Sequence, residues 1–122
     1  MSAWRRKALG LFPDLRNDIE DPDTSVMGLF FELLSRCRDA HGRNDLEELR
    51  RIYGFADWCA SQTAKELWNA AGVGFYEHLA DSRQTFDEIP LWVSKQVFED
   101  IAGLLEARGG RERVAELRRR YR

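Results

Sequence analysis

Apolar residues recur along most of the chain with the period of an α-helix, and this recurrence constrains the fold more than any other feature. One stripe follows the spacing i, i+3, i+4, i+7 and consists of Val26, Leu29, Phe30, Leu33, Leu34 and Cys37. A second stripe consists of Leu46, Leu49, Ile52, Tyr53, Ala56, Cys59 and Ala60. No segment of the sequence alternates polar and apolar residues with an excess of β-branched types. The sequence therefore predicts an all-α fold.

Capping residues and glycines predict where the first two main helices begin and end. The candidate N-caps are Asp23, Thr24 or Ser25 for the first helix and Asn44 or Asp45 for the second. Gly42 is placed to end the first helix. The few residues between the two helices predict that they pack as antiparallel neighbours.

A third helix is predicted over residues 64–79, with an apolar stripe of Ala64, Leu67, Trp68, Ala71, Phe75 and Leu79. It contains Gly72 and Gly74, which lower helix stability and indicate either a close helix crossing or a kink. The polar segment 81–88 is predicted to be a loop. Pro90 suits the first turn of a fourth helix.

Two short helices are predicted at the ends of the chain, one ending at Pro13 and one carrying Val114, Leu117 and Tyr121. Gly109 and Gly110 separate the last of these from the fourth helix. For 122 residues these elements predict a single helical domain over 1–122. Its expected architecture is a compact bundle of four main helices with short terminal helices, and the alternative is a small HEAT-like helical stack.

The charge is small overall but uneven. Residues 109–122 carry six Arg and two Glu, a charge of +4. Because the net charge of the whole chain is −2, residues 1–108 carry a charge of −6. A mildly acidic chain disfavours nucleic acid as the main partner. Cys37 and Cys59 lie on apolar helix faces, which predicts free thiols in a reducing compartment. No apolar run approaches the length of a membrane span, so we expect a cytoplasmic protein without membrane contact.

Several segments resemble a family of small uncharacterised bacterial helical proteins. The segments are RRIYGFADWC at 50–59, VGFYEHL at 73–79, PLW at 90–92 and WRRKAL at 4–9. The resemblance spans most of the chain and implies a helical fold and a bacterial origin. It implies no catalytic residues.

Four potential metal ligands are spread along the sequence: Cys37, His41, Cys59 and His78. Cys37 and His41 are four residues apart and share a helical face, as two ligands of one metal ion do. The other two would come singly from separate helices, and the apolar stripes already account for both cysteines. We therefore predict no metal site and no cofactor.

Tyr76, Glu77 and His78 form the most chemically suggestive polar cluster. A small-ligand or enzymatic pocket near His78 is one interpretation, because histidine and glutamate act as general acids and bases. Adjacent helical residues project about 100° apart, however, which makes it difficult for Glu77 and His78 to face one substrate. The sequence has no phosphate-binding glycine loop, nucleophile elbow or HExxH motif. An enzyme is therefore the less favoured class.

An acidic region surrounds one tryptophan of the fourth helix: Asp87, Glu88, Trp92, Glu99 and Asp100. Acids that steer encounter, beside an aromatic anchor, are typical of a surface that binds another protein. The alternative is a solvated helix face with Trp92 in the core. We predict a monomeric, non-enzymatic protein-binding module, and analogy suggests an immunity or antitoxin role.

The C-terminal run Arg118-Arg119-Arg120-Tyr121-Arg122 gives a further alternative. Its arginines could contact phosphates while Tyr121 stacks on a base, as in a nucleic-acid-associated factor. The simpler interpretation places cations at a helix C-terminus and Tyr121 in the apolar stripe of the last helix.

Overall fold

The computed structural model describes residues 1–121, and in that range it is 83% helical and has no strand. The all-α prediction is confirmed. The α-helices are α1 (Ala3–Leu11), α2 (Arg16–Glu20), α3 (Val26–Arg43), α4 (Leu46–Ala60), α5 (Lys65–Gly74), α6 (Arg83–Asp87), α7 (Ile89–Trp92), α8 (Lys95–Gly109) and α9 (Arg111–Arg120). Two 3₁₀ segments, Pro13–Leu15 and Tyr76–Asp81, complete the elements.

Side-chain caps set the starts of α3 and α4, as their sequences predict. The Ser25 hydroxyl accepts a hydrogen bond from the Gly28 amide at 2.9 Å, and the Asp45 carboxylate accepts one from the Glu48 amide at 3.2 Å. The predicted end of α3 at Gly42 is one residue early. The helix continues to Arg43 and ends where Asn44 adopts the left-handed conformation, with φ of 56°. Asparagine is one of the few residue types that tolerate this conformation.

The predicted third helix is too long. Helix α5 ends at Gly74, and the backbone leaves helical geometry at Phe75, where φ is −133° and ψ is −69°. Residues 76–81 then form the longer 3₁₀ segment. Gly72 and Gly74 weaken the last turn of α5, and the new direction buries Tyr76 completely. Tertiary packing thus decides the end of the helix.

The region between 81 and 95 also differs from its prediction. The expected loop over 81–88 contains α6, which begins at a Ser82 cap. The expected fourth helix is divided, because Val93 takes an extended conformation after α7 and buries its side chain. Helix α8 then begins at a fresh cap, in which the Ser94 hydroxyl accepts from the Val97 amide at 3.2 Å.

The centre of the core is formed by α3, α4 and α5, each of which contacts the other two. This arrangement confirms the compact bundle rather than a stack of helix pairs. An aromatic cluster fills the space between these helices, with Phe30 lying 5.3 Å from Phe55 and 5.8 Å from Phe75 between ring centroids. Helix α8 packs on the 3₁₀ segment 76–81 and on α5, α1 packs on α4, and α9 packs on α8 and α7. Within residues 1–121, no helix is both long enough and apolar enough to cross a membrane.

The glycines of α5 permit close helix crossings. A Cβ atom on Gly72 would lie 3.2 Å from Leu104 Cδ1 of α8, and one on Gly74 would lie 2.6 Å from Met27 Sδ of α3. Of the two explanations that the sequence left open, close crossing therefore applies to both positions. Gly72 and Leu104 also line a surface groove between α5 and α8.

Candidate functional site

A groove of about 430 Å³ runs along the surface between α5 and α8. Its walls include Trp68, Gly72 and Val73 from α5 and Asp100, Ile101 and Leu104 from α8. Most of its lining is apolar. Because Gly72 has no side chain, α5 and α8 approach closely there. The side chains of Trp68 and Val73 lie at the edge of the groove.

Trp68 and Val73 are the exposed apolar side chains of this groove. Trp68 is 44% exposed and Val73 is 38% exposed. The sequence placed Trp68 in the core stripe of the third helix, and this prediction is wrong. The buried face of α5 is narrow and consists of the small residues Ala70 and Ala71 with Leu67 and the two glycines. The indole lies outside that face and lines the groove.

Asp100 supplies a carboxylate to an otherwise mainly apolar surface. Its Oδ1 accepts a hydrogen bond from Gln96 Nε2 at 3.0 Å, one turn earlier in α8. Among residues 1–121, no Lys, Arg or His side chain forms an ion pair with it. The groove therefore offers an aromatic face, aliphatic walls and one negative charge whose hydrogen-bond capacity is only partly used.

A partly buried hydrogen bond lies at the floor of the groove. The Tyr76 hydroxyl donates to Asp57 Oδ1 of α4. Burial raises the pKa of Asp57 above its ordinary value, and the hydrogen bond from Tyr76 offsets part of this rise. Burial also raises the pKa of Tyr76 well above its ordinary value, so the hydroxyl stays protonated and continues to donate. The pair fixes the floor of the groove against α4.

The predicted polar cluster of Tyr76, Glu77 and His78 is divided between two environments. Tyr76 is buried under the groove, whereas Glu77 and His78 belong to a surface ion network on the 3₁₀ segment. His78 Nδ1 lies 3.0 Å from Asp81 Oδ2, and Arg108 of α8 contacts the other oxygen of Asp81 at 2.9 Å. His78 is therefore tied to its own segment and to α8.

Asp81 is the centre of that network. Partial desolvation pushes the pKa of Asp81 upward, but hydrogen bonds from His78 and Arg108 outweigh it, and the pKa is lowered from its ordinary value. Glu77 lies 3.9 Å from Arg108 and 3.8 Å from His78. The network fastens the segment 76–81 to α8 and so supports one wall of the groove.

The five residues of the predicted acidic surface do not share one environment. Asp100 lies in the groove, while Glu99, on the neighbouring face of α8, pairs with Arg118 of α9 at 2.9 Å. Asp87 lies 3.7 Å from Arg83, and its main-chain carbonyl accepts from Arg120 at 2.6 Å. The structure thus places two of the predicted acidic positions against arginines of the C-terminal helix.

Glu88 and Trp92 contribute to a buried network that the sequence did not reveal. Glu88 Oε1 lies 3.1 Å from His41 Nδ1, and His41 Nε2 lies 2.8 Å from the Tyr53 hydroxyl. Trp92 stacks on the Tyr53 ring with 5.7 Å between centroids. Gln84 Nε2 donates to the main-chain oxygen of His41 at 2.9 Å. This network joins α3, α4, α6 and α7.

Three of the four candidate metal ligands, Cys37, His41 and Cys59, are buried in the core. Both nitrogens of His41 are engaged in the buried network, and Cys37 and Cys59 are buried thiols. Burial raises the pKa of each cysteine to about 12. Among the residues that the structure describes, no group of three or more His, Cys, Asp or Glu side chains is arranged to hold a metal ion.

The Arg-rich C-terminus packs against the domain up to Tyr121, and Arg122 lies outside the described residues. The Tyr121 ring stacks on Phe98 with 4.8 Å between centroids, and its hydroxyl donates to the Val93 carbonyl at 2.8 Å. Arg118 and Arg120 make the contacts to Glu99 and Asp87 described above. In this conformation Tyr121 has its ring and hydroxyl engaged within the chain.

The helical bundle and its groove define a small all-α domain with an open, partly apolar surface cleft. Residues 5–105 match the family described as Domain of unknown function (DUF7674), and the chain belongs to that family. The resemblance to an uncharacterised family is thereby confirmed. The match ends within α8, so α9 lies beyond it. No curated protein and no solved structure matches the chain.

Proposed function

We propose that this chain is a protein-binding module that accepts an apolar segment bearing a Lys or Arg side chain in the groove between α5 and α8. The observation that carries the proposal is the exposed indole of Trp68 at the rim of an apolar groove that also contains Asp100. Acidic and aromatic side chains thus line one groove, the combination predicted around Trp92, but at a different tryptophan.

Trp68 supplies the expected binding energy. Tryptophan is enriched among the few interface residues that dominate affinity, and its truncation commonly costs about 2 kcal/mol or more. Val73 beside it and Leu104 opposite give an apolar surround that would exclude water from the contact. The volume of about 430 Å³ accommodates one or two side chains of a partner.

Asp100 supplies the charge preference. Its carboxylate lies in a wall formed mainly by apolar side chains, where a cation is attracted more strongly than on an open surface. The aliphatic stem of Lys or Arg would lie along Leu104 while the charged end reaches Asp100, and an indole face also attracts such cations. The charge of −6 over residues 1–108 would steer a basic partner toward the domain.

An immunity or antitoxin partnership in the bacterial cytoplasm is the form of binding that we propose. The small size and the acidity of residues 1–108 suit the neutralisation of a basic toxin, by analogy with other small acidic inhibitors. A gene for a basic toxin beside this one would support that role, whereas an operon of metabolic enzymes would favour small-ligand binding.

Site-specific photocrosslinking tests the groove directly. Trp68→benzoylphenylalanine, introduced into the full chain in its source cell, should give an adduct with one protein partner on irradiation. Phe31→benzoylphenylalanine is the matched control, because Phe31 is an exposed aromatic residue of α3, at 55% exposure, outside the groove lining. The adduct should form at position 68 and not at position 31.

The isolated partner then allows a quantitative comparison. Asp100→Asn should weaken binding about threefold to tenfold and reduce its dependence on salt, because it removes the charge while preserving the shape of the side chain. Glu32→Gln, a charge removal on α3, should leave the affinity within about twofold. Equal adducts at positions 68 and 31, or an affinity unaffected by Asp100→Asn, would contradict the proposal. Saturable binding of free arginine amide without any protein adduct would instead indicate a small-molecule site.

A further inference from the structure

Helix α9 covers a second surface of the domain, formed by α7, α8 and the end of α6. Its apolar part includes the buried ring of Phe98, which stacks on Tyr121, and the main-chain carbonyls of Ile89 and Val93 accept from the Tyr121 hydroxyl. Glu99 and the Asp87 carbonyl form its polar edge. Glu99 and Asp100 project about 100° apart from α8, so this surface and the groove lie on different faces of the same helix.

The contacts of α9 are those of a basic amphipathic helix in a docking site. Val114 and Leu117 are buried, and Tyr121 stacks on Phe98. Around them, Arg118 pairs with Glu99 at 2.9 Å. The guanidinium of Arg113 lies 4.2 Å above the centre of the Phe86 ring. The segment therefore combines apolar residues at i, i+3 and i+7 with arginines. These arginines contact a carboxylate, a main-chain carbonyl and an aromatic ring of the domain.

Helix α9 is attached to the domain through one glycine and buries few of its residues. Gly110 joins it to α8 with φ of 93°, a conformation that favours glycine and absorbs a sharp change in chain direction. Helix α9 buries only two of its ten residues, and it packs mainly on α8 and α7. The family match ends at residue 105, before α9 begins. The matched residues thus include most of this surface and do not include α9.

We infer that the α7–α8 surface is a docking site for a basic amphipathic helix of a partner protein and that α9 occupies it in cis. The partner helix carries two apolar residues three apart, an aromatic residue four positions later, and arginines beside them. Helix α9 competes with it at the high effective concentration that the one-residue connection at Gly110 imposes. The inference concerns another surface than the groove and is independent of the function proposed for the groove.

A peptide of residues 111–121 is the probe for this site. Val114→Asp/Leu117→Asp in the full chain removes the apolar contacts of the cis helix and should allow saturable binding of the labelled wild-type peptide. The unchanged protein should bind the same peptide at least about tenfold more weakly, because its own α9 competes. Arg111→Ala/Arg119→Ala changes the net charge equally, leaves the apolar face intact and should behave as the unchanged protein.

A charge exchange establishes whether the peptide uses the site that α9 uses. Adding Glu99→Arg to the Asp variant should weaken binding of the wild-type peptide about fivefold or more, and a peptide with Arg118→Glu should recover most of the loss. A helical Asp variant that does not bind the peptide would overturn the inference. Binding that is insensitive to Glu99→Arg would also overturn it, since the attraction would then be general.

Hydrogen exchange of the unchanged protein gives a second test that needs no variant. Amides of α9 should exchange at least about 100-fold faster than those of residues 98–105 in α8, because α9 opens without unfolding of the core. Equal protection of the two helices would mean that α9 leaves only when the whole domain unfolds. That result would overturn the inference whether or not the Asp variant folds.

Discussion

Replacement of Tyr53 by Phe removes one oxygen atom from the buried network and leaves the aromatic packing in place. The Phe ring retains its neighbours Phe75, at 5.5 Å, and Trp92, at 5.7 Å. His41 loses a hydrogen-bond partner, because its Nε2 lies 2.8 Å from the Tyr53 hydroxyl. His41 is 3% exposed. The network is satisfied when His41 donates from Nδ1 to Glu88 and accepts at Nε2 from Tyr53.

The expected change in the free energy of unfolding follows from the His41 nitrogen that is left without a hydrogen-bond partner. A buried acceptor that loses its hydrogen bond costs about 1–3 kcal/mol, since no water reaches it. We therefore expect Tyr53→Phe to lower the free energy of unfolding by about 2 kcal/mol, a large share of the roughly 5–15 kcal/mol typical of a domain. Urea unfolding followed by circular dichroism measures this change.

Tyr121→Phe is the matched control for the loss of a hydroxyl group. The Tyr121 hydroxyl donates to the Val93 carbonyl at 2.8 Å, but it lies in a partly exposed position where water can replace it. The expected cost is about 0.5–1 kcal/mol. A loss below about 0.5 kcal/mol for Tyr53→Phe, or equal losses for the two variants, would refute the reasoning about the buried network.

Three further predictions concern charge and thiol burial. A carboxyl group whose pKa is raised on folding binds its proton more tightly in the folded state, so Asp57 should make stability fall as pH rises from 3.8 through its folded pKa. Asp57→Asn should lack this fall in urea titrations. A difference in unfolding free energy between the unchanged protein and Asp57→Asn that does not vary with pH would contradict the prediction. The pH dependence that Asp81 contributes has the opposite sign, because its pKa is lowered on folding. Its stabilisation is present above pH 3.8 and is lost as the pH falls through the folded pKa. Asp81→Asn should not show this loss in urea titrations. Cys37 and Cys59, with a pKa of about 12, should resist Ellman's reagent at pH about 8 and react once urea unfolds the chain; rapid reaction of the native protein would show that the thiols are accessible.

The sequence predicts best those elements whose signals are local. The stripes of α3 and α4 and the caps at Ser25 and Asp45 are formed by residues within a few positions of one another. The position where α5 ends depends instead on tertiary contacts. Phe75 and Tyr76 are buried against other helices, and the chain leaves helical geometry at Phe75. Local pattern therefore predicted a helix through residue 79.

The candidate surfaces depend on pairings between residues that are distant in sequence. Glu99 meets Arg118 and Glu88 meets His41 across 19 and 47 positions, and no spacing rule reveals either contact. One signal for the buried network was present, since His41 follows Cys37 by one helical turn on an apolar face. Trp68 was misplaced because a stripe shows which residues are apolar but not how wide the buried face is.

The affinity of the crosslinked partner for Trp68→Ala, compared with Phe31→Ala, tests the central claim most directly. Both changes remove an exposed aromatic side chain, and only Trp68 lines the groove. We expect Trp68→Ala to weaken binding at least about tenfold while Phe31→Ala stays within about twofold, with both variants folded as the unchanged protein. Equal affinities for the two variants would contradict the assignment of the groove as the docking site.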